Sequence, residues 1–327
     1  MHISVLLEEA VTLWGGVGDT NGERDGIYID GTFGEGGHSK KLLDTLGSKK
    51  IKIIGLDWDE KRIKQGEQRF KKEIENKKLY LISEGFQNIQ KVVKQFQAKS
   101  EFRGLPVRGV LLDLGMCSTQ LEEARGFSFN EKEAKLDMRF KEKSKNHISA
   151  REILNDWSKE DLVEILRELG EERYAGLVAG AIVRRREEEG KFEKVEDLLL
   201  VLEKCVGRFY KNYRIHFATR TFQALRMAAN QEVSNIKKGL EGAKEVVACG
   251  GRIVVISFHS GEDRIVKRFF KEEARECICP EILPICQCNH QKTFKIITKK
   301  PIIASKEELL INQRARSAKL RAVEKII

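Results

Sequence analysis

The sequence predicts an α/β fold, a doubly wound parallel sheet interrupted by an all-helical insert. Three observations carry this expectation. Short β-branched runs alternate with Lys-rich helical stretches as far as residue 114, the rhythm of a buried parallel sheet covered by helices on both faces. From about residue 121 to 213 that rhythm stops and only helical spacing is found. Strand and helix signals then return, so a helical block splits one α/β unit.

Residues 27–30 (Ile-Tyr-Ile-Asp) read as the first strand, ending at a glycine cluster. Residues 51–57, 79–82 and 110–114 read as the second, third and fourth strands. In the insert, Leu162, Ile165, Leu166 and Leu169 recur at helical spacing behind Ser158-x-x-Asp161, a capping pattern, with Gly170 as a stop. Tyr174, Leu177, Val178, Ala181 and Ile182 repeat that spacing, and residues 195–206 form another helix. Phe222 to Val247 carries apolar residues three and four apart, which predicts one long amphipathic helix. Gly250-Gly251 leads into a fifth strand at 252–258, a helix follows at 262–270, and a late strand begins at Phe294. The expected organisation is a core in two parts, 1–118 and 214–327, around a helical subdomain at 119–213, with a basic C-terminal tail.

The chain has 327 residues, of which 41% are hydrophobic, enough for a core. No run of ~18 apolar residues exists, which excludes a membrane-spanning helix, and the first residues lack the pattern of a secretory signal. Seven cysteines in such a chain point to the reducing cytoplasm and not to a disulfide scaffold. The net charge is +10, and ten Lys/Arg against three acids lie from His290 onward, whereas 19 bases face 21 acids over 121–213. A concentrated basic segment suits a polyanion such as RNA, and equally a solvated tail.

The chemistry starts at Asp30-Gly31-Thr32-Phe33-Gly34-Glu35-Gly36-Gly37-His38-Ser39. Four glycines in seven positions between strand and helix let the backbone approach a ligand closely. The order G-x-x-G-x-G-G is neither the dinucleotide fingerprint nor a phosphate loop. Asp57 ends the second strand where an acid in doubly wound folds binds ribose hydroxyls, so a nucleoside-containing cofactor is favoured over a plain tight turn. Asp30, Asp57 and Asp113 all close strands without a His or Glu partner at metal spacing, so no catalytic metal is expected. Cys277, Cys279, Cys286 and Cys288 form a C-x-C pair of pairs with His290 nearby, a zinc candidate whose spacing is less typical than C-x-x-C.

The glycine segment, Leu112-Asp113-Leu114-Gly115, Arg125-Gly126-Phe127-Ser128-Phe129, Leu136-Asp137-Met138-Arg139, Gly170-Glu171-Glu172-Arg173, Ala218-Thr219-Arg220-Thr221-Phe222-Gln223-Ala224-Leu225-Arg226 and Ile256-Ser257-Phe258-His259-Ser260-Gly261-Glu262-Asp263-Arg264 together resemble one family. It is the ribosomal RNA small subunit methyltransferase H family of bacterial S-adenosylmethionine-dependent enzymes, and the likeness runs from Val5 to Arg321. The resemblance implies a class I methyltransferase sheet (Rossmann-like) with a helical domain inserted after the fourth strand. It implies methylation of the exocyclic N4 of a cytidine in the decoding centre of 16S rRNA, with S-adenosylmethionine as cofactor and the small subunit as partner. A homodimer is left open and no membrane is involved. Carried over by position, the cofactor site is Gly36, Gly37, His38, Asp57, Phe86, Asp113 and Gln120. Thr119, Phe217 and Gln313 depart from the family's usual serine–proline turn or prolines, which loosens turns near the expected RNA face without removing a chemical group.

Asp113 is the first candidate to accept a proton from the amine, and it is equally a plain cofactor ligand. Phe258 is expected to stack on a flipped base, with Ser257 and His259 as neighbouring catalytic candidates. Arg220, Arg226, Arg264, Arg314 and Arg316 are assigned to phosphate contacts. Two other readings stay open: a methyltransferase acting on another RNA, and a non-catalytic ribosome-assembly factor. DNA amino-methylating enzymes carry Asp/Asn-Pro-Pro-aromatic after the fourth strand, and Asp113-Leu114-Gly115-Met116 disfavours that class.

Overall fold

A computed structural model describes residues 3–17, 24–47, 50–115, 125–140, 148–213, 215–280, 283 and 286–327. It divides into two compact units, Met1–Gly115 with Ser234–Ile327, and Met116–Val233. The first unit holds a seven-stranded sheet: β1 (Gly26–Asp30), β2 (Ile51–Asp57), β3 (Leu79–Ser83), β4 (Val107–Asp113), β5 (Val247–Ser257), β6 (Phe294–Ile296) and β7 (Lys319–Lys325). Their order is β3-β2-β1-β4-β5-β7-β6. The first five strands are parallel, and β7 runs antiparallel to both β5 and β6.

The inner strands are continuous apolar runs because both faces are covered, and alternate residues serve opposite faces. Ile27, Ile29, Ile54, Leu56, Val110 and Leu112 pack with Ile89, Val92, Val93, Phe96, Ile236 and Leu240 from helices on one side. Tyr28, Ile53, Leu111, Val254 and Ile256 pack with Ala10, Val11, Trp14, Leu42 and Leu43 on the other.

The expected strands at 27–30, 51–57, 79–82, 110–114 and 252–258 are all present, with edges shifted by a few residues. Two expectations are corrected. The single helix expected from Phe222 to Val247 is two, Thr219–Ala229 and Glu232–Val246. The break falls where Gln231 takes φ 51° and Asn230 spends its side-chain amide on the Met138 carbonyl (2.7 Å) and the Phe140 N–H (2.7 Å). The basic tail is the second correction. Residues 319–325 are a strand in which Leu320, Ala322 and Val323 are fully buried and Arg321 is ion-paired with Asp263 at 2.6 Å. Alternating charges hid this strand, because Lys319, Arg321 and Glu324 meet partners inside the unit: Asp263 for the two bases and Arg252 for Glu324.

The second unit is helical. Its core contains Leu162, Ile165, Leu166, Val178, Ile182, Leu198, Leu202, Phe222 and Leu225, so the helix Thr219–Ala229 lies here and not in the returning core. Ser158 caps the helix Lys159–Glu168 as its pattern predicts, accepting from the Asp161 N–H at 3.1 Å. The helix Ala175–Glu188 is rotated slightly from the expected face, so that Leu177 is half exposed while Ala175 and Ala179 are buried.

The Arg321–Asp263 pair is bidentate and mostly shielded from water. Replacing Arg321 with Ala removes two charge-assisted hydrogen bonds and leaves Asp263 with the longer Lys319 contact at 3.5 Å, and is expected to cost about 2 kcal/mol in urea unfolding. The R321M/D263L double variant should recover much of that loss.

Candidate functional site

In an open α/β sheet, ligands bind beyond the carboxyl ends of the strands where the strand order reverses. Here that point lies between β1 and β4. Asp30, Asp57 and Asp113 are the final residues of β1, β2 and β4, so the register brings three carboxylates to one rim.

The glycine loop connects them. Gly34 and Gly36 adopt positive φ, 55° and 75°, which favours glycine. A Cβ on Gly36 would lie 2.5 Å from both the Phe33 and Phe70 rings, and one on Gly37 would lie 2.1 Å from Ser4 Oγ. The helix Gly37–Leu46 then starts without a side-chain cap, directly behind the glycine loop. His38 is buried with Nε2 3.0 Å from the Val5 carbonyl, so its ring serves the N-terminal segment while its backbone belongs to the loop.

The three carboxylates are satisfied unequally. Asp30 accepts from the Ser39 hydroxyl at 2.7 Å and from the Thr32 N–H, and burial pushes its pKa up to about 6. Asp57 accepts from the Gly34 N–H and the Asp59 N–H, each at 2.9 Å. Burial raises its pKa too, against the opposing pull of Arg62. Asp113 is placed by its own N–H, which donates to Thr32 Oγ1 at 2.6 Å. Its Oδ1 is buried with no hydrogen-bond partner among the described residues. Burial, then the nearby Asp30 charge, push its pKa up to about 7, against a hydrogen bond from the Gly115 N–H.

Phe86 is buried beside this rim, within contact distance of where a Cβ on Gly31 or Gly239 would stand. At the end of β5, the Phe258 ring lies so close to Gly115 that a Cβ there would be 2.6 Å away. The Ser257 hydroxyl donates to the Lys319 carbonyl at 3.3 Å, which engages it within the sheet. His259 caps the helix Ser260–Glu273: its Nδ1 accepts from the Glu262 N–H, and its Nε2 lies 3.1 Å from Glu262 Oε1. His259 Nε2 is buried and, despite this close approach, makes no hydrogen bond among the described residues. Glu262, missed in the sequence, is fully buried and also accepts from the Phe258 N–H at 2.8 Å. Its signal was there in His259-x-x-Glu262, a capping box with histidine in the serine position. Thr32 and Ser39, which hold Asp113 and Asp30, were missed as well.

Gln120 lies outside the described residues. Arg264, Arg314 and Arg316 are exposed. In the helical unit Arg220 is half-buried, and Arg226 is not placed for phosphate: it forms a two-pronged pair with Glu232 at 2.8 and 2.9 Å, largely shielded from solvent. The four cysteines 277, 279, 286 and 288 are brought together.

The model of the MraW methylase family matches residues 1–326. Proteins called ribosomal RNA small subunit methyltransferase H are similar over full length. The one from Caldicellulosiruptor bescii is 42% identical over 326 residues, 99% of each chain. That of Clostridium botulinum (strain Kyoto / Type A2) is 41% identical over 326 residues, again 99% of each. That of Dehalococcoides mccartyi is 40% identical over 329 residues, all of this chain and 87% of that one.

Asp30 and Asp113 are pushed toward keeping protons that the unfolded chain releases near pH 4, so these two groups subtract stability as pH rises from about 4 to about 7. Asp113→Asn should flatten that slope and raise the unfolding free energy at about pH 8 by about 1–3 kcal/mol, with little change near pH 4. Urea unfolding at both pH values checks this, and an unaltered slope would mean an ordinary carboxylate.

Proposed function

The chain belongs to the MraW methylase family and is an S-adenosylmethionine-dependent methyltransferase; from this premise we propose that it methylates the exocyclic N4 amine of one cytidine in the decoding centre of 16S rRNA, within the small ribosomal subunit. The observation that carries the reading is Asp113: a carboxylate at the switch point whose buried Oδ1 has no hydrogen-bond partner among the described residues.

The residues present fit the cofactor. Its ribose hydroxyls call for an acceptor such as Asp57, its positive charge for a carboxylate such as Asp113, and its adenine for a flat apolar surface such as Phe86. Gly36, Gly37 and the His38 backbone supply the close approach that the loop allows, and Gln120 is carried over from the family pattern. S-adenosylmethionine supplies an activated methyl group on a sulfonium, so alignment is the chain's main task.

The cytosine amine is a weak nucleophile because its lone pair is delocalised into the ring. A carboxylate accepting one amine hydrogen localises that pair, and takes the proton as the new N–C bond forms. Asp113, with its pKa pushed up to about 7, is matched to accept and then release a proton near neutrality. Phe258, beside Gly115, offers a face for an unstacked base. Ser257 and His259 act as positioning residues, since each is engaged by the fold. Arg264, Arg314 and Arg316 present charge to phosphates, with Arg220 as a further contact from the helical unit. Among the described residues no helix is long and apolar enough to cross a membrane, in keeping with a reaction on ribosomal particles in the cytoplasm.

Small subunits lacking the modification, incubated with the protein and S-adenosylmethionine, should yield N4-methylcytidine by nucleoside mass spectrometry. Asp113→Asn should slow methyl transfer by about a hundredfold or more. A product on another nucleoside, or none despite measured cofactor binding, would move the substrate to a different RNA or leave an assembly factor.

A further inference from the structure

We propose that Cys277, Cys279, Cys286 and Cys288 form a tetrathiolate zinc site that fastens the connection between the helix Ser260–Glu273 and β6. All four Sγ atoms lie within 4.8 Å of one another. Cys277 is 3.4 Å from Cys286 and 3.7 Å from Cys288, and Cys286 is 3.5 Å from Cys288. A tetrahedral zinc with bonds of about 2.3 Å sets its sulfurs about 3.8 Å apart. Disulfides instead join sulfurs in pairs at about 2.05 Å, far shorter than these separations.

Two further observations support a metal. From Ala274 to Lys292 no described residue is buried, and Ile278 and Leu283 are 46% and 40% exposed. Among its described residues the segment therefore has no apolar core of its own, and short segments of that kind are ordered by a metal or a crosslink. Backbone donors also point at the sulfurs. The Cys279 N–H donates to Cys277 Sγ at 3.3 Å, and the Gln287 N–H donates to Cys279 Sγ at 3.4 Å. Such bonds are the usual outer support of a metal site.

His290, whose Nε2 lies 3.1 Å from the Glu272 carbonyl at the end of the preceding helix, is not required as a ligand, because the four cysteine sulfurs already meet. Thiolates select a soft divalent ion over magnesium or calcium. Four protein ligands close the coordination shell, so the ion's role is structural and takes no part in methyl transfer. Binding releases the thiol protons to solvent and couples the ion to the folding of this segment.

Untagged protein purified from zinc-supplemented cells should contain about one zinc per chain by elemental analysis. Cys277→Ser and Cys288→Ser should lose the zinc, while Cys249→Ser, at an exposed cysteine elsewhere, should keep it. Cobalt added to metal-free wild-type protein should give the absorption of a tetrahedral thiolate complex, a readout independent of any variant. Wild-type protein with well under one zinc and no cobalt–thiolate bands would overturn the site. So would a disulfide among these cysteines in non-reduced peptide maps of freshly purified protein.

Discussion

Three carboxylates withdrawn from water at one edge of a parallel sheet set the terms for everything around them. An ionised carboxylate in such a place needs donors, or it keeps its proton. The donors explain the local sequence. Ser39 and Thr32 are committed to Asp30, and Gly34 and Asp59 give their N–H groups to Asp57. The glycine loop can bend back to Asp57 because Gly34 tolerates a positive φ. Asp113 is the exception, anchored through its backbone to Thr32 but with an Oδ1 that has no hydrogen-bond partner among the described residues.

Both ends of the chain buttress this rim. Glu308 accepts from the Leu6 N–H at 2.8 Å, and Asn312 donates to the Ile3 carbonyl at 3.0 Å. The segment held in this way meets His38 through Val5 and leaves no room for a side chain on Gly37. Part of the positive charge that drew attention in the sequence is consumed inside the fold. Arg321 answers Asp263, and Lys325 donates to the Lys244 carbonyl. The exposed positive charge is narrower than the composition suggests, and includes Lys299, Lys300 and Arg316 on the surface.

The parallel strands were legible because burial on both faces leaves uninterrupted Ile, Val and Leu runs, as in residues 51–57 and 110–112. The glycine loop and Asp57 were legible because strand, glycine and acid recur at a spacing with a physical meaning. The last strand was not, since Arg321 and Glu324 become buried or half-buried only by pairing with Asp263 and Arg252, residues far away in sequence. The break at Gln231 was hidden for a similar reason: helical spacing continues across it, and contacts to Met138 and Phe140 decide the matter. Nor does periodicity distinguish an arginine available to phosphate from Arg226, already engaged by Glu232. Phe86 was reached only through family resemblance, because a buried aromatic beside a sheet is ordinary.

The central claim is that Asp113 is the carboxylate that meets the cofactor, and proton exchange on binding tests it most directly. Titration calorimetry of S-adenosylmethionine in buffers of different ionisation enthalpy near pH 7 counts the protons exchanged. A cationic ligand meeting a half-protonated Asp113 should release a fraction of a proton, and Asp113→Asn should abolish that release. The same release in wild type and Asp113→Asn would contradict the account.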